Sequence, residues 1–175
     1  CIRDSMRVVE RKLHSRLIKD TAASIKGRGG HYLLERMRRD MAADPEGTAW
    51  VYKCDIRKFY QSISQKAMMY VIRRFIKDKR LLAILDCCIT MLPEGLSIGL
   101  RSSQFLGNLI LSYYLDHVIK DECGVQYYRR YCDDKVTQAG SPEALEPVVA
   151  VIHGQVEKAG LEIKGNEQVF RVADR

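Results

Sequence analysis

Apolar side chains recur at helical spacing over much of this chain, with polar and charged residues between them. Near residues 5–19, Met6, Val9, Leu13 and Leu17 fall on one face, and cations occupy the other faces. Capping and turn residues set the predicted ends of the later helices. Those helices are expected at about 31–43, from Ser62 or Ser64 to Ile76, at about 79–91, at about 103–119, and from Ser141 to Gly160.

Two other stretches have the aromatic and β-branched composition that is typical of strands, and both lead to acids. Residues 49–56 run to Asp55, and residues 127–137 predict two strands joined by a tight turn that carries Asp133 and Asp134. Neighbouring carboxylates repel each other, so two strands that bring them together suit hard divalent cations. An ordinary Asp-Asp turn is the alternative, because Asp is a common turn residue.

Short strands near 161–164 and 167–171 complete the predicted order of elements. The order fits an α+β fold in which a β-α-β-β-α-β sheet is backed by helices. Asp55 and Asp133 would then lie on neighbouring central strands.

Composition limits the kinds of partner that a protein with this fold is expected to bind. The 175 residues can form one domain with a real core, and 29 Lys and Arg against 22 Asp and Glu give a net charge of +7. This charge favours a polyanion, nucleic acid before membrane. The six cysteines form no CxxC pair, which favours free thiols in a reducing cytosol over zinc or disulfides. No apolar stretch is long enough to span a membrane and no signal peptide is visible, so a cytoplasmic location is expected.

Two glycine-rich loops are candidates for binding phosphate. Residues 24–31 place three glycines among Lys26 and Arg28, which would let the backbone approach a phosphate, although a flexible connector is equally consistent. Residues 93–104 enter the N-terminus of the long apolar helix, where free N–H groups favour an anion or a template backbone.

These segments together resemble the fingers and palm of reverse transcriptases over most of the chain. KCDIRKFY at 53–60 is similar to the first catalytic palm motif, YCDD at 131–134 to the YxDD hairpin, and LSIGLRSSQ at 96–104 to the loop-helix motif. Residues 3–9 and 26–29 are similar to the later part of the fingers in bacterial members.

The resemblance implies a ferredoxin-like polymerase palm with partial helical fingers. It implies fingers at 1–47 and a palm at 48–175, the palm containing the loop-helix motif at 95–119 and the hairpin at 127–138. The first finger strands and the thumb are expected to be absent, and the start at Cys1 is consistent with a trimmed fragment.

The same resemblance implies RNA-directed DNA synthesis by two metal ions. Asp55 and Asp133 would hold two Mg²⁺, or Mn²⁺, with help from Asp134 and the backbone carbonyl of Ile56. Tyr60 would lie beneath the sugar and exclude a 2′-hydroxyl, although it could also be a core tyrosine. Candidate contacts to nucleotide, template or phosphate are Arg7, Lys26, Arg28, Ile98, Gly99, Arg101, Ser103, Gln104 and Lys164, of which the cations could equally be plain surface residues.

Two departures from the family pattern affect the expected activity. Ile98 stands where the common loop motif has Gln, a variant similar to the error-prone reverse transcriptases of diversity-generating retroelements. Glu167 lies near an expected Lys, which leaves Lys164 as the nearest proton donor for pyrophosphate.

The expected partners are an RNA template, a DNA primer, deoxynucleoside triphosphates and, in a retroelement, an accessory basic protein. Three alternatives remain at this stage. They are a different palm polymerase or nucleotidyl cyclase, a palm that binds RNA or a partner without chemistry, and a reverse transcriptase of a retron, group II intron or defence system.

Overall fold

The computed structural model describes residues 2–174, and for residues 2–5 and 101 it describes the backbone alone. Seven α-helices are formed within this range: α1 Ile2–Leu13, α2 Gly30–Ala43, α3 Phe59–Ser62, α4 Gln65–Phe75, α5 Lys79–Ile89, α6 Arg101–Leu111 and α7 Pro142–Lys158. Ser64, Asp78 and Ser141 cap α4, α5 and α7 by accepting a hydrogen bond from the third residue of each helix. The helices predicted at about 31–43, up to Ile76, at about 79–91 and from Ser141 are therefore present, whereas the first helix ends at Leu13 and not near residue 19.

Five strands form one sheet: β1 Thr21–Ala22, β2 Trp50–Cys54, β3 Tyr128–Tyr131, β4 Asp134–Ala139 and β5 Gln168–Arg171. Their order in space is β1-β3-β4-β2-β5, with β1 parallel to β3 and the other pairs antiparallel. Strands β2 to β5 and the helices between them reproduce the predicted β-α-β-β-α-β arrangement, but the strand predicted near 161–164 is only an isolated bridge between Ile163 and Ile56. The two-residue strand β1 was not predicted, because a strand this short has no sequence pattern of its own.

Helices cover both faces of this sheet, and the main core lies on one of them. On that face Tyr52 and Cys54 of β2 and Tyr128 of β3 are buried in one apolar cluster with residues of α4, α6 and α7. On the other face α2 packs against β1 and β3. The ends of β2 and β3 and the start of β4 therefore lie between two helical layers.

The long helix predicted at about 103–119 changes type part of the way along. After α6 ends at Leu111, residues Ser112–Asp116 and Val118–Glu122 form π-helical turns. A π turn needs tertiary contacts to stabilise it, and such turns are frequent at functional sites. Apolar periodicity alone predicts a uniform α-helix here. No helix among residues 2–174 is long and apolar enough to cross a membrane.

Candidate active site

The β3–β4 hairpin delivers one acid at its turn and a second at the start of the return strand. Cys132 and Asp133 occupy the turn, whereas Asp134 is the first residue of β4, paired with Tyr131. The sequence predicted both acids within the turn, so Asp134 is placed differently. Its carboxylate lies 4.0 Å from the Lys53 ammonium, beside Leu33 and Val136 on the α2 side of the sheet.

Asp55 follows β2 directly and is held between two segments of the chain. Its carbonyl accepts a hydrogen bond from the Lys164 backbone (2.9 Å), and its carboxylate lies 3.3 Å from the Lys164 ammonium. Ile56 forms an isolated antiparallel bridge with Ile163, but the hydrogen bonds around that bridge come from Asp55 and Arg57. The Ile56 carbonyl is not used in this pairing.

The carboxyl groups of Asp55 and Asp133 lie close enough to interact electrostatically at the ends of these two elements. Burial, with a contribution from the neighbouring Asp55, raises the pKa of Asp133. Two neighbouring carboxylates repel each other and lose hydration when they are buried. They are a donor set that fits a divalent cation, because the cation offsets both the repulsion and the lost hydration. Among the residues that the structure describes, no group of three His, Cys, Asp or Glu side chains forms a metal cluster.

A buried polar network lies directly under the turn. Arg130 is completely buried and forms two hydrogen bonds with the Asp116 carboxylate, at 2.9 and 2.7 Å. Asp116 also accepts hydrogen bonds from Tyr128 and Thr21, both at 2.8 Å. Arg130 donates in addition to the Asn108 side chain, at 2.9 Å. The guanidinium is thus bonded on several sides.

This network is connected to the turn through the backbone of Cys132. Arg130 donates a hydrogen bond of 2.5 Å to the Cys132 carbonyl, and the Cys132 N–H bonds to the Ala22 carbonyl at 3.3 Å. Cys132 has φ of +54°, in the left-handed region that costs a non-glycine residue about 1–3 kcal/mol. Arg130 and Asp116 were not among the predicted site residues, because their roles depend on contacts between distant segments.

Lys135 is a second residue that sequence analysis did not select. It is fully buried and donates a hydrogen bond of 2.7 Å to the Asp133 carbonyl. Burial lowers the pKa of its ammonium group. The side chain lies on the core face of the sheet, opposite Cys54 of β2.

Tyr60 lies beside the turn, in contact with Cys132. Its hydroxyl is 3.1 Å from the Cys132 sulfur, and burial raises its pKa. The Phe59 and Tyr60 rings pack 5.0 Å apart against α6 at Gly107, where a Cβ atom would come within 2.9 Å of Phe59 and 3.2 Å of Tyr60. A glycine at 107 therefore leaves room for both rings.

The loop before α6 distributes its predicted residues between surface and core. The Ile98 side chain is 67% exposed, and Gly99 has φ of +92°, which favours glycine. Ser103 is buried, and the side chain of Gln104 accepts a hydrogen bond of 2.5 Å from Ser24. Arg101 was also a candidate, but its side chain lies outside the described residues.

A groove of about 660 Å³ adjoins this loop and contains two of the three predicted phosphate contacts. Arg7 and Lys26 line it, together with Arg11 and His14, which were not predicted. The loop that carries Lys26 follows β1, whose Ala22 carbonyl bonds to Cys132 of the turn. Arg28 instead donates a hydrogen bond of 2.9 Å to the Ile18 carbonyl. It therefore has a role within the loop.

Glu167 is directed away from the acidic pair. Its carboxylate accepts hydrogen bonds from the Tyr52 hydroxyl and from His153 of α7, the latter at 2.6 Å. These bonds lower the pKa of Glu167 against the opposing effect of burial, which is the largest single influence. Lys164, and not residue 167, faces Asp55.

The sheet, its helical backing and the acids at the strand ends define a polymerase palm. Residues 1–167 match the family described as reverse transcriptase (RNA-dependent DNA polymerase), and the chain belongs to this family. A search among curated proteins gives no match.

Solved telomerase structures share this fold. Apo telomerase from Candida tropicalis, truncated from its C-terminal domain, matches with a TM-score of 0.72 and 12% identity, covering 97% of this chain and 40% of that one. The Candida tropicalis enzyme in complex with the TWJ fragment of telomeric RNA matches at 0.73 and 12%, covering 96% and 33%. The Candida albicans enzyme with a TWJ fragment matches at 0.66 and 12%, covering 97% and 33%. The chain thus spans two fifths or less of the length of these relatives.

Proposed function

We propose that this chain is the fingers and palm part of a polymerase that copies RNA into DNA. The meeting of the Asp55 and Asp133 carboxyl groups, at the strand ends of a reverse transcriptase fold, is the observation that carries the proposal. In this assignment residues 1–47 belong to the fingers and residues 48–175 to the palm. Strand β1 joins the palm sheet from the fingers side.

Asp55 and Asp133 are the residues that would hold Mg²⁺, or Mn²⁺ as a substitute. When bound, such cations activate a primer 3′-hydroxyl and neutralise the charge on the triphosphate. The Ile56 carbonyl is an additional oxygen donor, since the bridge to Ile163 leaves it unused. Asp134 acts through its charge, because it is paired with Lys53 toward α2.

Lys164 is the residue that supplies positive charge beside the acids. Its ammonium lies 3.3 Å from the Asp55 carboxylate, and the Lys164 side chain is more than half exposed. An exposed cation at this point can approach the leaving pyrophosphate and donate a proton to it. Glu167 has no part in this step, since Tyr52 and His153 hold it.

The groove beside the turn would bind the phosphates of the nucleotide and template. Arg7, Arg11 and Lys26 supply positive charge there, and Glu10 and His14 line the same groove. Gln104 and Ser24 are linked to each other at the entrance to α6 and would contact the template side. Catalysis then depends on positioning and charge neutralisation more than on acid–base chemistry.

Tyr60 would select deoxynucleotides over ribonucleotides. Its ring is held by Phe59, by Gly107 on α6 and by the Cys132 sulfur, so its position next to the turn is fixed. A rigid ring beneath the sugar excludes a 2′-hydroxyl, which is the group that distinguishes the two substrates. Replacing Tyr60 with Ala is expected to increase ribonucleotide incorporation without loss of RNA binding.

We further propose a bacterial retroelement as the setting, with error-prone copying. The exposed side chain of Ile98 supports this proposal, since an apolar group at this loop cannot exchange hydrogen bonds with a nucleotide. Nucleotide selection would then depend on shape. The partners would be a specific RNA, a primer, deoxynucleotides and an accessory basic protein.

Primer extension tests the proposal on the full-length protein. The reaction uses poly(rA)/oligo(dT) and a mixed-sequence RNA with Mg²⁺, beside Asp133→Asn, and the products are sequenced. Extension that is lost in the variant supports RNA-directed synthesis, and errors concentrated at template adenines support the retroelement setting. A folded wild-type protein that binds RNA but extends no primer would favour the palm that binds without chemistry.

A further inference from the structure

The solvent face of α4 carries a continuous stripe of cations with one aromatic ring. The exposed residues of this face are Lys66, Tyr70, Arg73, Arg74 and Lys77, the last lying just beyond the helix end. Their spacing of four, three, one and three residues places them on one side of the helix. The helix contains no Asp or Glu between Gln65 and Phe75.

Aromatic rings from α4 and from the π-helical segment form a cluster beside this stripe. Tyr113 packs edge-on against Tyr70 and Phe75, with ring centroids 6.4 and 6.3 Å apart. The Arg74 guanidinium lies 5.9 Å from the Tyr70 ring, and that of Arg16 lies 4.9 Å from the Phe75 ring. Cations and rings are therefore already arranged against one another.

A groove of about 270 Å³ opens within this cluster, lined by Arg16, Phe75, Leu109, Tyr113 and His117. It lies on a different face of α6 from the one that contacts the β3–β4 hairpin. Asn108 of α6 faces the sheet, where it bonds to Arg130, whereas Leu109 and Tyr113 face the groove. The groove is therefore a separate place from the one beside Lys26.

The exposed stripe and the ring cluster together form one surface, which we call the α4 surface; its residues are Lys66, Tyr70, Arg73, Arg74, Lys77, Arg16, Phe75 and Tyr113. We propose that the α4 surface binds an unpaired stretch of RNA. Proteins that bind single strands combine a positive track for the backbone with aromatic rings on which bases stack, and Arg adds cation–π attraction. The family is that of RNA-dependent DNA polymerases, so the polyanion expected near this surface is a stretch of RNA outside the copied segment.

Charge alone would also suit an acidic protein, but the rings favour nucleic acid. Tyr70 is 51% exposed in the middle of the stripe, where a base can stack on it and a carboxylate gains little. The nearby acids have other partners: Asp78 caps α5, and Asp121 bonds to His117 at 2.5 Å. The stripe itself contributes Lys66, Arg73, Arg74 and Lys77 and no acid, so the α4 surface is positive where RNA would lie.

The test measures fluorescence anisotropy of a labelled 12-nucleotide oligouridylate with the full-length protein, without metal or nucleotides. Arg73→Ala/Arg74→Ala is compared with Arg38→Ala/Arg39→Ala, which removes two adjacent exposed arginines from α2. The first variant should weaken binding about tenfold and reduce the salt slope by about 1.4, since each single-strand phosphate contact contributes about 0.7. The second should change affinity less than about twofold.

Tyr70 provides the test of stacking. Tyr70→Ala should weaken binding at least about fivefold and Tyr70→Phe should restore it, because a phenyl ring offers the same face. Photo-crosslinking of 4-thiouridine in the same oligonucleotide should label peptides that contain Tyr70 or Tyr113. Thermal unfolding that matches the wild type will show that these surface changes leave the fold intact.

Two results would overturn the proposal. One is equal binding by both double-arginine variants, with crosslinks confined to the groove around Lys26. The other is displacement of the RNA by polyglutamate that binds the α4 surface independently of Tyr70, which would indicate an acidic protein partner. Neither result depends on whether the protein extends primers, so failure of the polymerase proposal would be seen separately.

Discussion

The two sides of the β3–β4 turn differ in how their charges are balanced. Below the turn, the fully buried Arg130 and Asp116 neutralise each other, and their remaining polar atoms contact Tyr128, Thr21 and Asn108. Above it, Asp55 and Asp133 face each other with like charge. Paired opposite charges therefore fix the geometry of the turn, whereas two like charges give the turn its capacity to bind a cation.

Removing one of the two like charges should reduce activity more than any other change considered below. Asp133→Asn should reduce primer extension by at least about a thousandfold, since a catalytic metal contributes several kcal/mol and each 1.36 kcal/mol is tenfold in rate. Asp134→Asn is the matched control, because this neighbour is directed toward Lys53. It should reduce the rate about tenfold or less in single-turnover measurements. Equal losses would show that both acids hold metal.

Breaking the paired charges should affect folding more than chemistry. Arg130→Met leaves the Asp116 carboxylate buried without its partner, which typically costs about 3–5 kcal/mol in the free energy of unfolding. Arg129→Met is the neighbouring control, since Arg129 pairs on the other face with the partly exposed Asp40. Urea unfolding should show a clearly smaller loss for the control. A reversed order would mean that the α2 side supports the hairpin.

A smaller effect is expected where α6 meets the Tyr60 ring. Gly107→Ala places a Cβ atom 2.9 Å from Phe59 and 3.2 Å from Tyr60, so the rings must shift at a cost of about 1–3 kcal/mol. Discrimination against ribonucleotides should weaken more than the rate of deoxynucleotide addition. Gly154→Ala on α7, where a Cβ meets nothing within 4 Å, is the control. Unchanged sugar selection in Gly107→Ala would separate Tyr60 from that role.

The smallest effect concerns pH. Because the pKa of Asp133 is raised in the folded protein, ionising this residue destabilises the fold, and this cost develops as the pH rises from the ordinary Asp value through the raised one. Asp133→Asn should therefore increase the melting temperature of the metal-free protein at pH 7, with the gain shrinking toward pH 4. Differential scanning fluorimetry at both pH values checks this. A gain that grows on acidification would contradict the assigned direction.

Much of the fold follows from local patterns that tertiary contacts do not override. Met6, Val9 and Leu13 of α1 are buried, as helical periodicity predicted, whereas Leu17 is buried in an extended segment beyond the end of the helix. The order of β2 to β5 follows the predicted β-α-β-β-α-β sequence of elements. In these segments apolar period, capping residues and turn residues agree, so sequence predicts structure.

The candidate site could be predicted from sequence only where a residue belongs to a recognisable motif. Asp55, Asp133 and Tyr60 were selected from motifs, and the structure brings them to one place. Arg130 and Asp116 were missed because a buried ion pair between distant segments produces no periodic pattern in the sequence. The location of Asp134 depends on a single residue of register, which a hairpin pattern does not fix.

The π-helical turns after α6 imply a place where the chain can lose one residue. A π turn contains one residue more than an α turn, because its hydrogen bonds span five residues and not four. Removing one residue within 112–122 converts one π turn into an α turn, so the side chains on either side keep their faces of the helix. The same deletion within a regular helix such as α7 rotates every side chain beyond it by about 100° around the axis. Homologues that keep an Arg beneath the turn should therefore differ by one residue in this segment more readily than in α7.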